Sequence, residues 1–89
     1  MLREPQSPAP DPAAVALGAL GWVLGDEDRA GRLLALTGLT VDSLRAGLGD
    51  PAVLGAVLDF LASHERDLVA AAEYLGIEPA ELMAARERL

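Results

Sequence analysis

The sequence predicts an all-α protein: a compact orthogonal bundle of five to six short helices behind a disordered, proline-rich N-terminal tail. Three observations carry that expectation. The chain is 52% hydrophobic, yet Trp22, Phe60 and Tyr74 are its only aromatic residues, so its core is built from Leu, Val and Ala. Leu and Ala favour helices, whereas the β-branched and aromatic residues that favour strands are scarce. Helix start and stop signals recur at short intervals from Asp11 onward. Four of the six prolines fall in "MLREPQSPAPDP", where no apolar periodicity accompanies them. This marks residues 1–11 as a flexible tail and residues 12–89 as a single helical domain.

The elements follow in order. Asp11-Pro12 and Asp50-Pro51 each place an N-cap acid before a proline at the first helical position. Asp26-Glu27-Asp28 puts negative charge where a helix N-terminus attracts it. Thr40 can cap "VDSLRAGL" and Ser63 can cap "HERDLVAAAEYL". Gly38, Gly49 and Gly76 read as left-handed stops. Six helices are therefore predicted, near residues 12–24, 27–37, 41–48, 51–62, 64–75 and 79–88.

The first of these is apolar nearly all round, which predicts a central place in the bundle. At 100° per residue its Ala14, Gly18, Gly21 and Gly25 fall on one side, a face that would admit a second helix closely. The fourth carries Val53, Leu54, Val57, Leu58, Phe60 and Leu61 on one broad face and Ala52, Ala56, Asp59 and Ser63 on the other; it is the predicted core helix. "TGLTVDSLRAG" from Thr37 and "LGIEPAELMAA" from Leu75 align without gaps, and shared helix-corner grammar explains the echo without a duplication.

Charge narrows the function. Seven arginines and no lysine face fourteen acids, a net charge of −7, which repels nucleic acid and anionic membrane. The absence of cysteine excludes disulfides and thiolate sites. The uncharged run from Pro12 to Gly25 is too short to span a bilayer, which takes about 20 apolar residues. It also lacks the basic segment that precedes a secretory signal, so a cytoplasmic protein is expected.

The stretch "AAAEYLGIEPAELMAARERL" has the outline of a helix-turn-helix: Ala72, Gly76, Ile77, Leu82 and Ala85 fall at the required places. Its chemistry argues otherwise. The second helix opens on Glu78, Pro79, Ala80 and Glu81, and residues 63–89 set Arg66, Arg86 and Arg88 against six acids, where phosphate binding demands the reverse. DNA or transcription-associated binding through residues 65–88 is thus the alternative and not the leading reading. "DEDRAG" from Asp26 begins like a calcium loop, but Thr37 stands where a bidentate Glu belongs. A single histidine, His64, cannot hold zinc, and as the sequence neighbour of Ser63 it makes no nucleophile–base pair; it reads as an exposed first-turn residue. No catalytic residue, cofactor or metal is expected.

Two polar questions remain. Asp59 interrupts an apolar run, and either Arg32 or Arg45 could answer it across helices in a bidentate pair; a charge that meets a partner protein is the other option. Trp22 is either a core anchor or an exposed recognition aromatic.

"RLLALTGLTVDSLR", "DPAVLGAVLDFLASHE" and "GIEPAELMAAR" together resemble a family of small alphaproteobacterial proteins known only as a domain of unknown function. Thr37-Gly38-Leu39, Leu44-Arg45, Pro51, Leu58-Asp59-Phe60-Leu61 and Gly76-Ile77-Glu78-Pro79 carry the likeness in order, and Leu33 departs from it where the pattern has phenylalanine. The resemblance implies a helical fold and a bacterial source, and it assigns no activity. By elimination the chain reads as a protein–protein interaction or regulatory module, monomeric or homodimeric, with an unidentified protein partner.

Overall fold

The computed structural model describes residues 11–89, which form six helices and no strand. The tail predicted over residues 1–11 lies, but for Asp11, outside the described residues. The helices are α1 (Pro12–Leu24), α2 (Glu27–Thr37), α3 (Val41–Ala46), α4 (Pro51–Ala62), α5 (Glu65–Leu75) and α6 (Pro79–Glu87).

Their ends follow local chemistry in most places. Asp26 accepts a hydrogen bond from the Arg29 amide at 3.0 Å, and Asp50 accepts one from Ala52 at 2.9 Å. Thr40 and Ser43 close a reciprocal capping box. At the start of α6 the Glu78 amide donates to the Glu81 carboxylate at 3.1 Å. Three expectations need correction. Asp11 caps α1 through its backbone carbonyl, which accepts from Val15, and not through its side chain. Ser63 ends α4 instead of starting α5: its hydroxyl donates to the Asp59 carbonyl at 3.0 Å, and His64 takes the N-cap position. Gly49 is not a left-handed stop, because α3 already ends at Gly47 with φ −100°. There a Cβ would come within 2.5 Å of Val53 Cγ2, so a larger residue at this position would have to displace Val53.

Gly38 and Gly76 do turn left-handed, at φ 76° and 73°, the region where a side chain is strained. Their closures differ. At Gly76 the Ile77 amide reaches back to the Ala72 carbonyl at 3.0 Å, the six-to-one bond of a Schellman motif. At Gly38 the glycine amide itself bonds Leu34 at 3.0 Å, and the Thr37 hydroxyl receives the Leu39 amide. The echo between the two corners is one of outline.

α1 and α4 form the centre: α1 packs against α2, α4, α5 and α6, and α4 against α1, α2, α5 and α6, with α3 peripheral. Leu54, Gly55, Val57, Leu58, Phe60 and Leu61 of α4 are buried, and Leu20 and Val23 of α1, Leu33 of α2, Leu44 of α3, Ala71 and Ala72 of α5 and Leu82 of α6 close around them. No polar or charged residue is buried among the described residues. The small-residue face predicted to receive a helix points mostly to solvent: Ala14, Gly21 and Gly25 are exposed, and only Gly18 is closely approached, by Leu75. Ala16, Ala19, Leu20 and Val23 take the inner side instead.

Candidate functional site

A cleft of about 590 Å³ lies between the end of α2 and the outer side of α4, lined by Leu36, Thr37, Ala56, Asp59, Phe60, Ser63 and His64. Helical spacing builds it: Ala56, Asp59, Phe60 and Ser63 recur at intervals of three and four along one side of α4. Leu36 overhangs the opening with 63% of its surface exposed.

Asp59 has an arginine partner, and it is Arg86. From the last turn of α6, Arg86 Nε donates to Asp59 Oδ1 at 2.8 Å and Nη2 to Oδ2 at 3.1 Å, a bidentate fork. Gly55, one turn before Asp59, lets the guanidinium lie close against α4, since a Cβ there would stand 3.0 Å from the guanidinium carbon. The hydrogen bond to Asp59, and then its charge, push the Arg86 pKa above its already high ordinary value. That raised pKa keeps the arginine's side of the pair charged below it, and the contribution is lost only as pH rises through the folded-state value. Both side chains stay open to water, Asp59 at 59%, so the pair lies on the rim and not within the core.

The two arginines predicted for Asp59 sit elsewhere. Arg32 donates to Asp67 of α5 at 3.0 Å, and Arg45 is exposed in the last turn of α3, where a cation suits the helix dipole. Trp22 is half-buried against the core. The Arg29 guanidinium lies 3.7 Å from the centre of its ring and donates through Nη2 to the Trp22 carbonyl. Arg29 Nε is buried without a hydrogen-bond partner, and the indole face is what compensates it. Sequence reasoning missed both Arg29 and Arg86. A small residue one turn before an isolated carboxylate was the available sign that a long side chain crosses at Gly55.

His64 is half-buried, not exposed. Its Nδ1 lies 2.9 Å from the Phe60 carbonyl, and its ring packs on Phe60 with centroids 4.9 Å apart. With Nδ1 committed to that carbonyl and the Ser63 hydroxyl to Asp59, these neighbours do not address each other. Residues 27–37, which the calcium register would need as a loop, are helix α2. Among the described residues no group of three or more His, Asp or Glu is gathered as metal ligands.

The family model described as "Protein of unknown function (DUF3572)" matches residues 9–89. The chain belongs to this family. No curated protein and no solved structure matches it. For this DUF3572 member the likeness supplies no activity, and the cleft, the Asp59–Arg86 fork and the capped Trp22 are the features on which a function can rest. No helix among the described residues is long and apolar enough to cross a membrane.

Proposed function

We propose that this chain is a protein-binding module of the bacterial cytoplasm, without catalytic activity or cofactor, whose α2–α4 cleft takes a segment of another protein carrying an apolar side chain beside a basic one. The observation that carries this reading is the cleft's composition. Leu36, Ala56 and Phe60 offer an apolar seat, and the Asp59 carboxylate stands at its edge. Each Asp59 oxygen accepts one bond from Arg86, and a carboxylate oxygen has a second lone pair to give. A chain of net charge −7 steers a basic segment toward it. Nothing favours the DNA alternative: Ala80, Glu81, Ala84 and Glu87 make up much of the outer side of α6, and phosphates would meet carboxylates there.

Panning a random helical-peptide display library on the full chain, with Leu36→Glu protein as the counter-selection, tests the reading. Enriched peptides should pair Leu, Ile or Phe with Arg or Lys one turn away, and should shift the amide resonances of Leu36, Ala56 and Phe60. Enrichment indifferent to Leu36→Glu, or shifts confined to another face, would sink it.

A further inference from the structure

α1 is the one helix among the described residues with no charged side chain. Its inner face is spent on the core through Ala16, Ala19, Leu20 and Val23. Its outer face leaves Leu17 and Leu24 exposed by 40% and 48%, with Ala14 and Gly21 exposed beside them. Every other helix turns Asp, Glu or Arg toward water, so this face is the one place where the surface remains apolar along a whole helix. We propose that it docks a second copy of the chain, with α1 antiparallel to α1 across a two-fold axis at the level of Ala19.

Self-complementarity selects that occupant. A two-fold contact requires that residue i of one copy meet residue j of the other, and j meet i. In an antiparallel pair centred at Ala19, Leu17 lies opposite Gly21 and Leu24 opposite Ala14. Each large side chain thus faces a small one, and the symmetry repeats both fits. Gly21 has open space above it, with nothing within 4 Å of a Cβ position. Gly18, near the centre of the helix, is flanked by half-buried Leu75 of α5, which widens the apolar strip.

Charge makes this the least repulsive face and also limits its strength. Two copies at −7 each repel wherever their acidic surfaces meet, whereas residues 12–25 carry no charge at all; the antiparallel arrangement opposes the helix dipoles, but the same register sets exposed Asp11 opposite exposed Glu27 at each end. α1 has 13 residues, hence a length of about 20 Å. One such helix per copy covers less than the roughly 800 Å² per partner of a standard stable interface. The dimer is accordingly weak and reversible, forming at high micromolar concentration.

Sedimentation equilibrium of the full chain, from roughly 20 µM to 1 mM, provides the test. The apparent mass should climb from 9.2 kDa toward twice that value, and added salt should strengthen association by screening the like charges. Leu17→Glu should weaken it at least about tenfold with unchanged helical circular dichroism. Ala14→Leu and Leu24→Ala should each weaken it, and the double variant, which exchanges large for small, should recover to within about threefold of the original. A mass fixed at the monomer value throughout overturns the proposal, as does association indifferent to Leu17→Glu. A spin label on Ser7→Cys that broadens Leu17 in dilute monomer would assign the face to the chain's own tail and overturn it equally.

Discussion

α1 and α4 are the two most apolar helices of this fold, and they use that character in different ways. α4 has a polar side, marked by Asp59 and Ser63, so only one orientation buries its leucines. α1 has no polar side to fix its rotation. Its neighbours fix it instead: α2, α4, α5 and α6 pack against it, with Ala16, Ala19, Leu20 and Val23 turned inward and Ala14, Leu17, Gly21 and Leu24 left outside. Hydrophobicity alone does not determine burial; its distribution around the helix does, and where the distribution is even, the surrounding helices decide.

Truncation gives the largest contrast between the two helices. Leu58 of α4 is fully buried, and Leu58→Ala should cost about 2–5 kcal/mol in a urea melt. That is a large share of the ~5–15 kcal/mol that holds a small domain together. Leu24→Ala on α1, at a site 48% exposed, should stay within about 1 kcal/mol in dilute solution. Equal losses would show that α1's outer face is covered within the monomer. Glycine replacement comes next in size. Gly47→Ala drives a Cβ toward Val53, beside the start of α4, and toward the Ser43 carbonyl at 2.9 Å, and should cost about 1–3 kcal/mol. Gly21→Ala meets no neighbour and should raise stability by about 0.5–1 kcal/mol through helix propensity. A destabilising Gly21→Ala would break the assignment of that face to solvent.

Smaller still is the Asp59–Arg86 fork on α4's polar side. Arg86→Ala should lower the melting temperature slightly, less than either core change, because exposed pairs are screened by water and salt. Arg86→Lys should not restore the two-pronged geometry, and the wild-type margin over both variants should shrink at high salt. At the far end of the scale, a gel-shift titration at low salt should give no retarded DNA. Binding that weakens steeply with added salt would reinstate the α5–α6 corner as a reader of nucleic acid.

The sequence was legible where the physics is local. Asp26, Thr40 and Asp50 cap helices two or three residues away, and Gly38 and Gly76 answer to their own φ angles; neither needs knowledge of the rest of the chain. Legibility failed where distant elements choose among local options. Asp59 needed an arginine, but which of several reached it depended on how α6 crosses α4, a contact spanning 27 residues. α3 stops at Gly47, where Val53 of α4 packs closely, and not at Gly49. Ser63 could cap the following helix or close the preceding one, and the Asp59 carbonyl was the acceptor within reach.

Trp22 is the chain's single tryptophan, and Arg29 lies directly over its ring. Ultraviolet emission from this protein therefore comes largely from one indole at the α1–α2 corner, seen through an adjacent cation. Opening that corner should change the colour of the light before it reports anything about α4. Occupation of the α2–α4 cleft, which Trp22 does not line, should leave that emission nearly unchanged, whereas pairing along α1 takes place on the helix that carries the fluorophore.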